Sequence, residues 1–236
     1  MAKVIIFTGA GISAESGIST FRDTGGLWEE YDVSVVCNYD SLEKNESLTI
    51  EFYDKRRAEL ETKEANHAHK IIAMLKEKYK DNIAVITQNV DNLFEKAGLE
   101  KKDVIHLHGF MTEVRCQDST CNKTIDIGYK SQYDYNNNSC PKCGEKLRPN
   151  IVFFGEMAPL YEELNNQIQD CELLVVIGTS GNVVGVNTMA SFIDSSILNN
   201  LESSAAIEDE LFTKVIYEKS SIAIDEIRAD IEAFLN

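Results

Sequence analysis

Nothing in this 236-residue sequence approaches a run of about 18 apolar residues, the length a membrane-spanning helix needs, so no membrane partner is expected. The opening MAKVIIF has too short an apolar part to act as a signal peptide, and the expected location is cytoplasmic. Positive charge is also scarce: 23 lysines and arginines stand against 39 aspartates and glutamates, a net charge of −16. Binding a phosphate backbone needs clustered cations, so nucleic acid is not an expected partner. The acidity reads as a solubility device, with a weak attraction for basic protein substrates as the sharper alternative. Internal repeats are missing, and low complexity is confined to NNNS at 136–139. With 43% apolar and 26% charged residues, the chain is an ordinary globular one. It is long enough for a full core and is most simply one domain carrying an inserted lobe.

Six cysteines are present: Cys37, Cys116, Cys121, Cys140, Cys143 and Cys171. A cytoplasmic chain keeps its thiols reduced, and four of the six fall between Cys116 and Cys143 as two close pairs. Such short spacings let each pair pinch a metal from a tight turn, and SCPKCGEKL supplies Pro and Gly for the knuckle. Four thiolates suit tetrahedral zinc and leave no open position for a catalytic water. The expectation is one structural Zn2+ held by Cys116, Cys121, Cys140 and Cys143; the other reading is unrelated free thiols.

Short apolar runs at 3–7, 83–87, 104–108, 150–154, 173–178, 196–201 and 214–217 are nearly continuous rather than alternating. That pattern belongs to strands covered on both faces. Helical patterns at 66–79, 161–170 and 224–235 separate many of them, which predicts an α/β fold with a parallel sheet between helices. Residues 28–64, helical and charged, and 112–148, holding the paired cysteines, interrupt the alternation. Both read as insertions that form a smaller lobe, with a ligand cleft between it and the sheet.

GAGISA, Gly9 to Ala14, follows the first apolar run and fits the glycine turn that lets backbone N–H groups approach a pyrophosphate. A dehydrogenase would next build a second strand ending in an acid about twenty residues on. Here STFRDTGGLWEEY follows instead and reads as a loop folding over a ligand, with Arg22 and Asp23 reaching into the cleft. TQNVDNLFEKAG (87–98) places Asn89 and Asp91 just beyond another strand, and HLHG (106–109) places His108 beside Gly109. His106 shares a strand face with His108, and the residue next to the glycine is preferred. A lone histidine is most often structural, but polar clusters at three strand ends favour a functional one.

In order, GAGISAESGI, TFRD, TQNVDNL, HLHG, the cysteine pairs, LRPNIVFFGE, IGTS and NNLE resemble the sirtuin family of NAD-dependent protein deacylases over essentially the whole chain. The resemblance implies a Rossmann-like parallel-sheet core from residues 1–27, 70–111 and 149–236, with a helical insertion (28–69) and a zinc ribbon (112–148) forming the small lobe. It implies NAD as co-substrate. Gly9, Ala10, Gly11 and Ser13 would lie at the pyrophosphate, and Phe21 and Arg22 in the loop closing over it. Gln88, Asn89 and Asp91 would hold the ribose and carboxamide. Gly178, Thr179, Ser180 and Asn200 would hold the adenosine half, and Ser220 is assigned to the same cofactor. His108 would be the general base, with Asn89 and Asp91 as its catalytic neighbours. Phe154, Gly155 and Glu156 would pair with an acyl-lysine peptide as an added strand. The implied reaction breaks NAD: the acyl oxygen attacks the ribose carbon, nicotinamide leaves, and free lysine and O-acyl-ADP-ribose result.

EFYDKRRAEL (51–60) places Tyr53 and Arg56 three residues apart on one helix face, able to converge on one anion. The pair resembles the Tyr-x-x-Arg signature of sirtuins that remove succinyl and malonyl groups; an arginine fork grips a carboxylate while tyrosine adds a neutral bond. Deacetylation is expected as a second activity, and the alternative to the whole reading is a charged surface helix. Three positions depart from the family: Ser19 stands for a usual proline, Phe94 for a frequent histidine, and GNVVGVN (181–187) for a proline-containing run. The last should be more mobile, which bears on peptide preference. An NAD glycohydrolase or ADP-ribosyltransferase would use the same bond cleavage with another acceptor, and a non-catalytic acyl-lysine or NAD binding module would use the same pocket.

Overall fold

The computed structural model describes residues 2–19 and 31–236. At its centre lies a six-stranded sheet of β1 (Val4–Thr8), β2 (Ile83–Thr87), β3 (Val104–His106), β7 (Leu173–Ile177), β8 (Ser195–Asn200) and β9 (Lys214–Tyr217). The order is β3-β2-β1-β7-β8-β9, and every pairing is parallel. Its middle strands VIIFT, IAVIT and LLVVI are buried at every residue, because helices cover both faces.

The alternation along β1 divides the core. Val4 and Ile6 point to one side, where α5 (His67–Tyr79) and the carboxy-terminal helix α9 (Ser220–Leu235) deliver Ile72, Leu75, Ile224, Ile227 and Ile231. Ile5 and Phe7 point to the other, against Leu164 of α7 (Tyr161–Gln169) and Met189 of α8 (Val186–Phe192). Asn66 starts α5 by accepting from the amides of Ala68 and His69, an N-cap placed just before the apolar period. Strand order reverses between β1 and β7. In a doubly wound sheet a crevice opens there, beyond the carboxyl ends of the strands.

A second sheet is antiparallel, in the order β5-β4-β6, from β4 (Gly109–Cys116), β5 (Thr124–Asp126) and β6 (Leu147–Ile151). Here two apolar runs fold differently from their reading. The run 104–108 stops as a strand at His106, and the chain turns before β4 begins at Gly109. The run 150–154 does not join the parallel sheet: its first residues end β6, whose sequence LRPNI pairs with β4, and Phe154 forms a bridge to Asn38. Polar side chains within β6 break the apolar continuity that marks a central strand. Both β4 and β6 run across the boundaries drawn at 111/112 and 148/149.

Among the described residues between Tyr31 and α5 lie three helices, α2 (Val33–Val36), α3 (Tyr39–Leu42) and α4 (Glu46–Glu61). Arg57 on α4 is fully buried. Its Nε donates to the Met111 carbonyl at 2.9 Å, and its guanidinium also pairs with Asp54. Asp54 accepts from Ser131 Oγ and the Gln132 amide. Two hydrogen-bonded side chains thus tie α4 to β4 and to the segment between the two cysteine pairs. No helix among the described residues is long and apolar enough to cross a membrane.

Candidate active site

The glycine turn after β1 meets the end of β7 backbone to backbone. Gly9 N donates to Ile177 O at 3.0 Å and Gly11 N to Gly178 O at 2.8 Å. A Cβ on Gly11 would lie 2.7 Å from Gly178 Cα, and one on Gly178 (φ +66°) 2.5 Å from Ile12 N. Only residues without side chains let the two strand ends approach this closely. The turn leads into α1 (Gly11–Ala14), whose Ser13 donates to Asp91 Oδ2 at 2.9 Å and accepts from Asn89 Nδ2 at 3.0 Å. Asn89 also donates to Gly9 O at 3.1 Å. Asp91 is buried and accepts from Leu93 N, at the start of α6 (Leu93–Lys96). Burial pushes its carboxyl above the usual carboxylate value, with the Leu93 and Ser13 bonds working against the rise.

The two histidines are told apart by their partners. His106 has Nδ1 3.2 Å from the Asn89 carbonyl and Nε2 2.9 Å from Glu95 Oε1. Both nitrogens face oxygen atoms of neighbouring residues, so the ring is held at both ends, and it is buried. His108 has Nδ1 3.0 Å from the Gln88 carbonyl. A carbonyl only accepts, so Nδ1 carries the proton and Nε2 keeps its lone pair. That lone pair lies 3.1 Å from the Tyr161 hydroxyl. Burial lowers the His108 pKa from 6.5, and the Gln88 bond partly offsets it. His108 is neutral and ready to accept a proton; His106 is a structural clamp.

One cavity of about 1010 Å³ receives Ala10, Ser13, Gln88, Asn89, Asp91, His108, Tyr53, Arg56, Phe154, Gly155, Glu156 and Ser180. Its size exceeds that of most small-molecule sites, which suits a dinucleotide plus an acylated side chain. Thr179 and Asn200 adjoin it: Gln88 Nε2 donates to Thr179 Oγ1 at 2.8 Å, and Asn200 Nδ2 to Thr179 O at 3.0 Å. Ser220 is not brought there; its hydroxyl, at the start of α9, donates to Glu15 Oε1 at 3.2 Å. Phe21 and Arg22 lie outside the described residues.

Tyr53 and Arg56 project from adjacent turns of α4 into the cavity wall. The Tyr53 hydroxyl donates to Cys37 Sγ at 3.4 Å, and its ring stacks on Phe153 at 5.6 Å. Arg56 lies over Phe52, 5.5 Å from the ring centroid, and pairs with Glu59 Oε2 at 3.1 Å. The Glu156 carboxylate is committed to the turn that carries it, accepting from Arg115, from both terminal nitrogens of Arg148 and from Phe153 N. Burial works against its charge, yet the Arg148 contacts hold it below the usual range. Cys37 and Tyr161 have no motif in the sequence. Cys37 reads as an unassigned thiol and Tyr161 as the first residue of a helix, and neither spacing points to the cavity.

The four paired cysteines come together, every Sγ within 4.8 Å of the others. Cys116 and Cys143 are 3.4 Å apart, Cys121 and Cys140 3.8 Å. Tetrahedral zinc with sulfur at about 2.3 Å sets its ligands about 3.8 Å apart, so the donor set is compatible with a structural zinc.

Residues 9–185 match the model of the Sir2 family. An NAD-dependent protein deacylase of Campylobacter jejuni is 48% identical over 236 residues, covering 100% of this chain and 98% of its own. One of Helicobacter hepaticus is 42% identical over 259 residues, covering 99% of each. Among solved structures, a Sir2 homologue in complex with NAD superposes with a TM-score of 0.84 at 30% identity, over 99% of this chain and 90% of that one.

Proposed function

The chain belongs to the Sir2 family and is an NAD-dependent protein deacylase, and we propose that it removes short dicarboxylic acyl groups, succinyl and malonyl, with acetyl as a second substrate. The observation that carries this reading is that Tyr53 and Arg56 line the same cavity as His108. An acyl-lysine whose carbonyl reaches toward the base would extend its free carboxylate to a guanidinium fork and a phenol. Arg56 would leave Glu59 and Tyr53 would leave Cys37 to bind it, exchanging one acceptor for another.

The remaining roles follow from position. NAD supplies the ADP-ribosyl group that takes up the acyl chain as nicotinamide leaves. Gly9, Ala10, Gly11 and Ser13 present the pyrophosphate turn; Gln88, Asn89 and Asp91 orient the ribose and carboxamide; Gly178, Thr179, Ser180 and Asn200 serve the adenosine half. His108 accepts the ribose proton on Nε2. Phe154 commits its N–H to Cys37 O and its carbonyl to Tyr39 N. Gly155 follows in a turn at φ +88° and lines the cavity, where an acyl-lysine peptide would meet the backbone of this segment. The core of 1–27, 70–111 and 149–236 would form one wall of the cleft, and the segments 28–69 and 112–148 the other.

The test compares succinyl-, malonyl- and acetyl-lysine versions of one peptide at fixed NAD, with products identified by mass spectrometry. Arg56→Met is expected to lower desuccinylation roughly 10- to 100-fold, the range for one charge-assisted hydrogen bond, while sparing deacetylation. Equal loss of both activities sinks the anionic-acyl reading. His108→Ala should abolish both in a folded protein. Bare ADP-ribose in place of O-acyl-ADP-ribose would mark a glycohydrolase.

A further inference from the structure

We propose that the Tyr161 hydroxyl is a placeholder at the base: it occupies the position at His108 Nε2 that the ribose hydroxyl must take, and it competes with NAD for that position. The inference rests on the reading of His108 as the general base. The Gln88 carbonyl leaves Nε2 as the only ring atom able to receive a proton. That atom already holds a hydroxyl at 3.1 Å, and it belongs to Tyr161.

The two rings are tilted at 45° with centroids 6.1 Å apart, so they meet through the hydroxyl rather than by stacking. Burial raises the phenol pKa, so Tyr161 keeps its proton and donates, as a ribose hydroxyl would before its own proton moves to Nε2. The placeholder presents the base with the same kind of donor as the group it stands in for.

Tyr161 is the first residue of α7 and lies five residues beyond Glu156, the end of the segment offered to a peptide. Phe154 is 52% exposed, Met157 93% and Leu160 40%, so the stretch between peptide edge and placeholder is lightly packed. Tyr161 itself packs against the core beneath α7, so its hydroxyl is presented to His108 from a fixed ring.

A contact made by the enzyme before NAD arrives, and broken when it binds, raises KM without entering kcat. Tyr161→Phe is thus expected to lower KM for NAD about fivefold with acetyl-lysine peptide, the equivalent of the ~1 kcal/mol of one neutral hydrogen bond. The gain in kcat/KM should be carried by KM. Tyr161→Leu, which lacks the ring as well, should move KM the same way. Nitrogen NMR of the His108 ring gives a readout independent of turnover: in Tyr161→Phe, Nε2 should shift toward an unbonded imidazole nitrogen while Nδ1 stays protonated. Melting curves confirm that the variants fold. An unchanged or raised KM overturns the proposal, as does a fall in kcat with KM unmoved, which would mean the phenol stays with the base through turnover. If His108→Ala retained activity, the reading of the base would fail instead, and the NMR shift would still report whether the contact exists.

Discussion

His108 is set apart from His106 by what each nitrogen touches. Two residues apart, one ring is pinned between a carbonyl and a carboxylate, and the other keeps a lone pair toward the cavity. Because burial holds the His108 pKa below 6.5, the proposed base keeps its lone pair above that lowered pKa and loses it as pH falls through it. The kcat/KM profile with an acetyl-lysine peptide should therefore have its acid-side midpoint below pH 6.5. A midpoint above 6.5 would show that a charged partner reaches the ring. That His108 would face the cavity was legible from its neighbour Gly109, but what separates it from His106 was not. The partners that distinguish the rings, Glu95 and Tyr161, come from other elements, and Tyr161 lies 53 residues further along the chain.

Elements meet at strand ends, and there the sequence was most readable, because close backbone approach demands glycine whatever the rest of the fold does. Gly9, Gly11 and Gly178 lock the turn after β1 onto the end of β7. Gly178→Ala would put a side chain on a left-handed residue and press Cβ to 2.5 Å from Ile12 N. Left-handed strain alone is about 1–2 kcal/mol, and a clash with backbone adds to it. The melting temperature should fall by roughly 4–8 °C, with weakened binding of ADP-ribose by calorimetry; a wild-type melt would show that the turn can open. The 150–154 run was less readable for the same physical reason in reverse. Its residues are apolar enough for a central strand, but β6 is decided by its partner β4, and a pairing partner leaves no mark in a local pattern. Tyr53 and Arg56 were legible as a face of a helix, while Cys37 and Glu59, which hold them, were not.

At the scale of the molecule, β4 and β6 connect the cavity to the cysteine cluster. His108 immediately precedes β4 and Phe153 to Glu156 follow β6, while Cys116 closes the far end of β4 and Cys140 and Cys143 precede β6. A chelator strong enough to remove zinc should release the outer end of this small sheet. The expected result is loss of deacylation with little change in the far-ultraviolet signal of the parallel sheet, and metal analysis giving one zinc per chain before treatment. Full activity in zinc-free protein would separate the cluster from the site.

The pairing of Gly109 with Ile151 has a kinetic side. It sets the first residue of β4 beside the last of β6, so everything between them closes as one loop. The entropy of closing a loop grows only slowly with its length. The strands on either side, β3 on β2 and β7 on β1, can therefore pair without waiting for the segment between, and refolding of the parallel sheet is expected to proceed at the same rate with and without zinc.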